Sequence, residues 1–283
     1  MIRNYRPVLL FFCVLIAACN GSSSGPVSPT PAVESAKPLP DVSAMIRRMT
    51  TQDGCKDFTS EMRMTAENAD GKRDQIEFRL QRKNNADGAS TFLAVLSPKE
   101  ESNKAILAIE KTDKPTEAFS YLAGLKKLAK MDSARQLNFR GAKVTVQELL
   151  GMELDKYTHN AGEREAGQGE ALIKVEFKAK QDLGLAFPSI TGYFRESDQT
   201  PVRFDLFSDN GELAKKVAIE EVKTIQNHLT ITRVAIEDLA QKLKLKLETR
   251  KIEYDRGLSD KIFTEDYLKN FITSASQRVD EGK

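Results

Sequence analysis

The sequence predicts a mainly β fold of the α+β class: a single curved antiparallel sheet forming an incomplete β-barrel, with short helices at its mouth. Three observations predict it. Between residues 55 and 255 about ten segments alternate apolar and polar side chains with period two, so each strand is dry on one face only. Clusters of Asn, Asp and Gly punctuate these segments as turns, and helical apolar spacing is strongest near the two ends of the region. A sheet of that width with one apolar face has to curl to cover it.

Composition allows such a core. The chain has 283 residues, 40% apolar and 30% charged, with a formal net charge of only +2. Acids and bases are interleaved without a run of five like charges, and there is no Trp, which argues against nucleic acid as a partner.

Residues 1–18 have the layout of a secretory signal: Arg3 and Arg6, the apolar run Val8 to Ile16, then Ala17 and Ala18. Nine apolar residues are too few to span a bilayer. Ile16, Ala17, Ala18 and Cys19 resemble the lipobox of bacterial lipoproteins, which implies a lipoprotein signal peptide and lipid on the Cys19 thiol. Several acyl chains on one residue anchor firmly, since each buried CH₂ contributes roughly 0.8 kcal/mol. Asn20 is not the Asp that such lipoproteins often use for inner-membrane retention, so the resemblance points to the outer membrane, facing the periplasm. Cys13 would leave with the signal and Cys19 would be acylated, so Cys55 is the one thiol left and no internal disulfide is expected.

Residues 19–40 combine the lipidated cysteine with a flexible tether, "NGSSSGPVSPTPAVESAKPLP", whose Gly, Ser and Pro cannot pack. Its reach is at most roughly 70 Å at about 3.3 Å per residue. Gly21, Ser23 and Gly25 match G-x-S-x-G, yet no strand precedes them and no helix follows, so a nucleophile elbow is not indicated.

The folded domain is expected over residues 41–273. Asp41 can cap a helix whose Val42, Met45, Ile46 and Met49 recur at helical spacing, and Gly54 ends it. From Lys56 the period becomes two: Phe58, Met62 and Met64 oppose Asp57, Thr59, Glu61 and Arg63. Asn68 to Gly71 signals a hairpin whose return strand aligns Ile76, Phe78 and Leu80. After a turn at Asn84 to Gly88, Thr91–Leu96 and Lys104–Glu110 are more continuously apolar strands flanking a Pro98 loop, and Glu117–Leu125 could add another pair. Residues 131–152 read as a loop with short helices, one capped by Thr145 and ended by Gly151. Strands resume at Leu154.

Further on, Ile173, Val175, Phe177 and Ala179 alternate with lysines and a glutamate, and Val202, Phe204 and Leu206 alternate before the turn at Asp209 to Gly211. A final hairpin is expected around Asn227 and His228. Its later part, "QKLKLKLE", opposes Leu243, Leu245 and Leu247 to Lys242, Lys244 and Lys246, as an edge-blunting or water-facing row. Thr264 can cap a last helix through Tyr267, Leu268 and Phe271, leaving residues 274–283 as a polar tail. Helices near both ends could plug the hollow of the sheet, which is then either filled by them or partly open for a ligand.

Catalysis is not indicated. His159 and His228 have no metal-ligand neighbours, and H-E-x-x-H, paired-cysteine zinc spacings, phosphate loops and G-x-G-x-x-G are all missing, so no cofactor, metal or catalytic residue is expected. What the pattern offers is an apolar concavity, for which Phe58, Met62, Ile76, Phe78, Leu80, Ile173, Val175 and Phe177 are the candidate lining. Burying one acyl chain of about sixteen carbons there would yield on the order of 12 kcal/mol gross.

Four stretches carry a resemblance to the outer-membrane lipoprotein-sorting proteins with a LolA-like fold. "LSPKEESNKAILAIEK" resembles that family's proline loop and next strand, and "EAFSYLAGLKKLAKM" its aromatic segment before basic residues. "FRGAKVTVQEL" is similar to its phenylalanine and glycine loop, and "GLSDKIFTEDYL" to its C-terminal end. The resemblance covers about residues 41–273. It departs where the family's tryptophan is absent, where its proline is Ala123, and where its arginines are Lys126, Lys127 and Lys130; the aspartate expected near Lys143 is missing as well. It implies an unclosed barrel, with helices in its mouth, that binds acyl chains of lipoproteins or lipids, some members accompanying an envelope lipid transporter. For this chain the expectation is a membrane-anchored lipid-binding lipoprotein held through Cys19. The alternative is a non-catalytic interaction module or transporter accessory subunit.

Overall fold

The computed structural model describes residues 38–50, 54–166 and 169–280; the expected signal segment, Cys19 and the tether through residue 37 lie outside them. Helix α1, Val42–Thr50, starts where expected, with the Asp41 carboxylate accepting the Ala44 N–H at 3.2 Å. Strands β1 (Asp57–Glu67) and β2 (Arg73–Asn85) form the first hairpin, closed by the Asn68 side chain, which accepts the N–H groups of Asp70 and Lys72. Strands β3 (Gly88–Ser97) and β4 (Ala105–Lys111) flank the Pro98 loop, where the Ser97–Pro98 bond is cis.

Strand β5 covers only Glu117–Leu122, and its partner β6 (Lys127–Met131) follows a single 3₁₀ turn over Ala123–Leu125. The expected loop over 131–152 contains a hairpin, β7 (Gln136–Phe139) and β8 (Ala142–Thr145), before helix α2 (Val146–Leu150). Thr145 and Glu148 form a reciprocal capping box on α2, and Gly151 ends it at φ 99°, as the spacing suggested.

A 3₁₀ turn at Leu154–Lys156 precedes β9 (Tyr157–His159). Then come β10 (Glu163–Ala166), β11 (Ala171–Ala179), β12 (Ser189–Arg195) and β13 (Pro201–Phe207). The expected final hairpin is instead three strands, β14 (Leu213–Ile225), β15 (His228–Asp238) and β16 (Leu243–Tyr254). The turn after β14 uses Gln226 and Asn227 at positive φ, so His228 opens β15 and "QKLKLKLE" belongs to the strand after it. Helix α3 (Glu265–Asp280), capped by the Thr264 hydroxyl accepting the Tyr267 N–H, continues through residues 274–280, where a polar tail was expected.

Fourteen strands make one sheet in the order β10-β11-β12-β13-β14-β15-β16-β1-β2-β3-β4-β5-β6, with β9 beside β11. Neighbours are antiparallel throughout, and β10 and β6 do not meet, so the barrel is incomplete. Strand β16 pairs with both β15 and β1, so its lysines stand on an interior strand and blunt no edge; Lys244 and Lys246 face water.

Register assigns the two faces. Ser60 opposes Leu80, Met62 opposes Phe78 and Leu80 opposes Leu93, while Ile173 opposes Phe194 and Gly192 opposes Phe204. These residues, from strands distant in the sheet order, share one apolar cluster with Val42, Met45 and Ile46 of α1 apart from Ser60 and Gly192, which carry no large apolar group. The sheet curls around α1, whose inward side chains are at most 6% exposed. Helix α3 does not plug this hollow. Its Leu268 and Ile272 pack with Phe92, Ala94, Ala105 and Leu107, which point to the opposite, outer face. Strands β3 and β4 are therefore covered on both sides, which explains their continuous apolar sequence.

Candidate functional site

The alternation that builds β1, β2 and β11 sends Phe58, Met62, Ile76, Phe78, Leu80, Ile173, Val175 and Phe177 to the same inner face. All but Met62 are buried, and Met62 is half-buried against the same cluster. The structure thus brings them together, in contact with α1 or with one another as packed core. Around Gly192 the packing is especially close: a Cβ there would stand 2.9 Å from Phe194 and 3.0 Å from both Phe177 and Phe204. Glycine is the residue that lets these aromatic edges converge.

Beyond Leu80 the inner face turns polar. Arg82 on β2 donates to both carboxylate oxygens of Glu110 on β4, at 2.5 and 2.9 Å, and Thr91 adds a third bond. Burial pushes the Glu110 carboxyl above its ordinary range, with Arg82 pulling it back. Beside this pair, Glu153 accepts from Lys156 at 2.7 Å and Ser133 at 2.9 Å, and from Thr116. Glu153 and its neighbour Met152 both have left-handed backbone, φ 48° and 70°, which turns the chain into this buried position. A third buried set ties α2 to the sheet: Lys215 on β14 reaches Glu148 at 2.7 Å and Asp238 on β15 at 2.9 Å.

An open cleft lies elsewhere. The ladder between β4 and β5 stops at Leu107 and Phe119. Past it, Ala105 and Ile106 pair only with β3, and Ser120 to Leu122 only with β6, so the two strands part. Between them is a cavity of about 860 Å³, walled by Leu93, Val95 and Ile106 of the sheet, Leu137 and Phe139 of the β7–β8 hairpin, and Ile272 of α3. Leu122 and Leu125 stand at its rim, 44% and 74% exposed. None of the residues proposed from sequence lines this cleft. Sequence reading missed it because "SYLAGLKKL" has the same apolar content whether its leucines are packed or exposed; two leucines flanking Gly124 in a turn were the available signal.

The fold recurs in solved structures. One is a domain provisionally described as outer membrane lipoprotein-sorting, from Vibrio parahaemolyticus: TM-score 0.70, 19% identity, covering 80% of this chain and 97% of that one. A DUF1329 family protein from Desulfovibrio piger gives TM-score 0.71 at 18% identity over 80% and 96%. A LolA superfamily protein from Nitrosomonas europaea gives 0.69 at 18% identity over 81% and 100%. At such identities the likeness is one of fold, and the fold is that of the LolA-like class. More narrowly, a family model carrying the description "Uncharacterized protein" matches residues 87–270, more than half of the chain, and the chain belongs to that family. No curated protein matches the sequence.

Proposed function

We propose that the protein is a non-catalytic lipid-binding lipoprotein of the cell envelope. In this reading it binds acyl chains of lipids or lipoproteins on the inner face formed by Phe58, Met62, Ile76, Phe78, Leu80, Ile173, Val175 and Phe177. The observation that carries it is a broad apolar face, part of whose cover is the nine-residue helix α1, in a LolA-like fold. Displacing α1 would expose Val42, Met45 and Ile46, at roughly 1.5–3 kcal/mol each, or about 5–9 kcal/mol in all. A sixteen-carbon chain returns on the order of 12 kcal/mol gross, so exchange of helix for ligand is affordable before ordering costs. A fluorescent fatty acid should bind the full chain, and Met45→Ser, which weakens the hold of α1, should tighten that binding severalfold. Absence of saturable binding in both proteins would sink the reading.

The anchor follows the sequence. Residues 1–18 act as signal, Cys19 carries lipid, residues 19–40 tether the domain 41–273, and the protein faces the periplasm from the outer membrane. Cys19→Ala should move the protein from the membrane pellet to the soluble fraction or leave it uncleaved; a cleaved variant that still pellets with outer membranes rules the anchor out.

A further inference from the structure

We propose that the cleft between β4 and β5 is a second ligand site, beside the inner face and sharing only its margin at Leu93, Val95 and Phe139, which takes one acyl chain of an anionic amphiphile and sets its head group beside Lys126 and Lys127. The proposal rests on the lipid-binding reading above and adds a place and a head-group charge to it.

Four observations converge. The cleft is open in this structure, whereas the inner face is covered by α1, so a chain reaches it without displacing any element. Its volume of about 860 Å³ falls within the roughly 300–1,000 Å³ of small-ligand sites, and its walls are chiefly aliphatic and aromatic. The opening is built into the pairing: β4 is satisfied by β3 and β5 by β6, so nothing in the ladder draws the two together beyond Leu107 and Phe119. At the rim, Leu125 is 74% exposed and Leu122 44%, an apolar lip continuous with the wall that a bound chain would cover.

Charge then selects the head group. Residues 118–131 contain Lys126, Lys127 and Lys130 and no acidic side chain. Lys130 is paired with Glu117, and Lys104, on the other lip, with Glu101. Lys126 and Lys127 are exposed directly after Leu125, where the left-handed conformation of Lys126 (φ 50°) turns the chain back into β6. A carboxylate or phosphate head above a buried chain would meet these ammonium groups, while a cationic head would be repelled.

The absence of Trp from the sequence makes the test direct. In the full chain, Tyr121→Trp places a reporter in the cleft and Met62→Trp one on the inner face, each titrated with a dibrominated stearic acid as quencher. Saturable quenching, at least twofold, is expected from the Tyr121→Trp reporter, with apparent affinity falling fivefold or more when Ser276→Phe obstructs the cleft from α3. The Met62→Trp signal should be unaffected by Ser276→Phe. Quenching of the Met62→Trp reporter alone would leave the inner-face reading standing and overturn this one; no quenching at either would overturn both. Quenching at the cleft that survives Ser276→Phe, and also Ala105→Phe as a second obstruction, would likewise overturn it. Combined Lys126→Gln and Lys127→Gln should weaken stearate at least threefold and tighten the same chain with a trimethylammonium head; effects of the same sign on the two heads, or none, would overturn the head-group assignment.

Discussion

Cys55 shows how burial, first among several causes, settles a residue's chemistry. It is 3% exposed at the start of β1, beside Asn84, and burial pushes its thiol up to about 11, with the nearby Asp255 carboxylate adding to the shift. Since the thiolate is the reactive form, the native protein should resist iodoacetamide at pH 8 and react promptly in urea. Mass spectrometry of the alkylated chain reads the result, and fast native labelling would contradict it. The sign for stability follows from the same shift. A group that holds its proton more tightly when folded stabilises the fold below pH 9 and loses that contribution as pH rises through about 11. The sequence marks Cys55 as the one thiol left, and its neighbours in the structure supply the rest.

At the scale of elements, α2 illustrates a contact that sequence periodicity does not reveal. Thr145, Glu148 and Gly151 announce its ends, and Glu148 serves both the capping box and the buried cation Lys215, which also holds Asp238. Lys215→Met would leave two buried carboxylates without their cation, a loss of about 3–5 kcal/mol. The expected outcome is a marked fall in the urea midpoint; a shift below about 1 kcal/mol would show the three groups to be solvated. The β7–β8 hairpin was illegible because its strands are four residues each, too short for an alternation to stand out from a loop. Helix α1 was legible from its cap and its apolar stripe, which agree.

For the whole molecule, one-sided alternation revealed the fold class and undercounted the strands: about ten were expected and sixteen are present among the described residues. Strand β12 was hidden by Gly192 in its middle, and β14 and β15 merged into one hairpin with β16 because their turn has no glycine and the lysine row drew attention to a single strand. That row is better explained by register. Lys244 stands opposite Glu67 on β1 and Glu237 on β15, so the outer face carries opposite charges across both neighbours. Replacing Lys242, Lys244 and Lys246 together by Gln should cost less than about 1 kcal/mol, since surface pairs contribute little each; chemical denaturation with a larger loss would mean the row does more than face water. The candidate lining was legible as a face and not as an opening, because alternation reports which side is dry and is silent on what covers it.

The cleft has a floor of sheet residues, Leu93, Val95 and Ile106, but its remaining walls come from peripheral pieces, the β5–β6 turn, the β7–β8 hairpin and the last helix, whereas β1, β2, β11 and β12 contribute nothing to it. Changes of size or charge at the turn and helix therefore leave the register of β1, β2, β11 and β12 untouched. The shape of the cleft and the curl of the sheet are thus set largely by different parts of the chain, so one scaffold can change the first without losing the second.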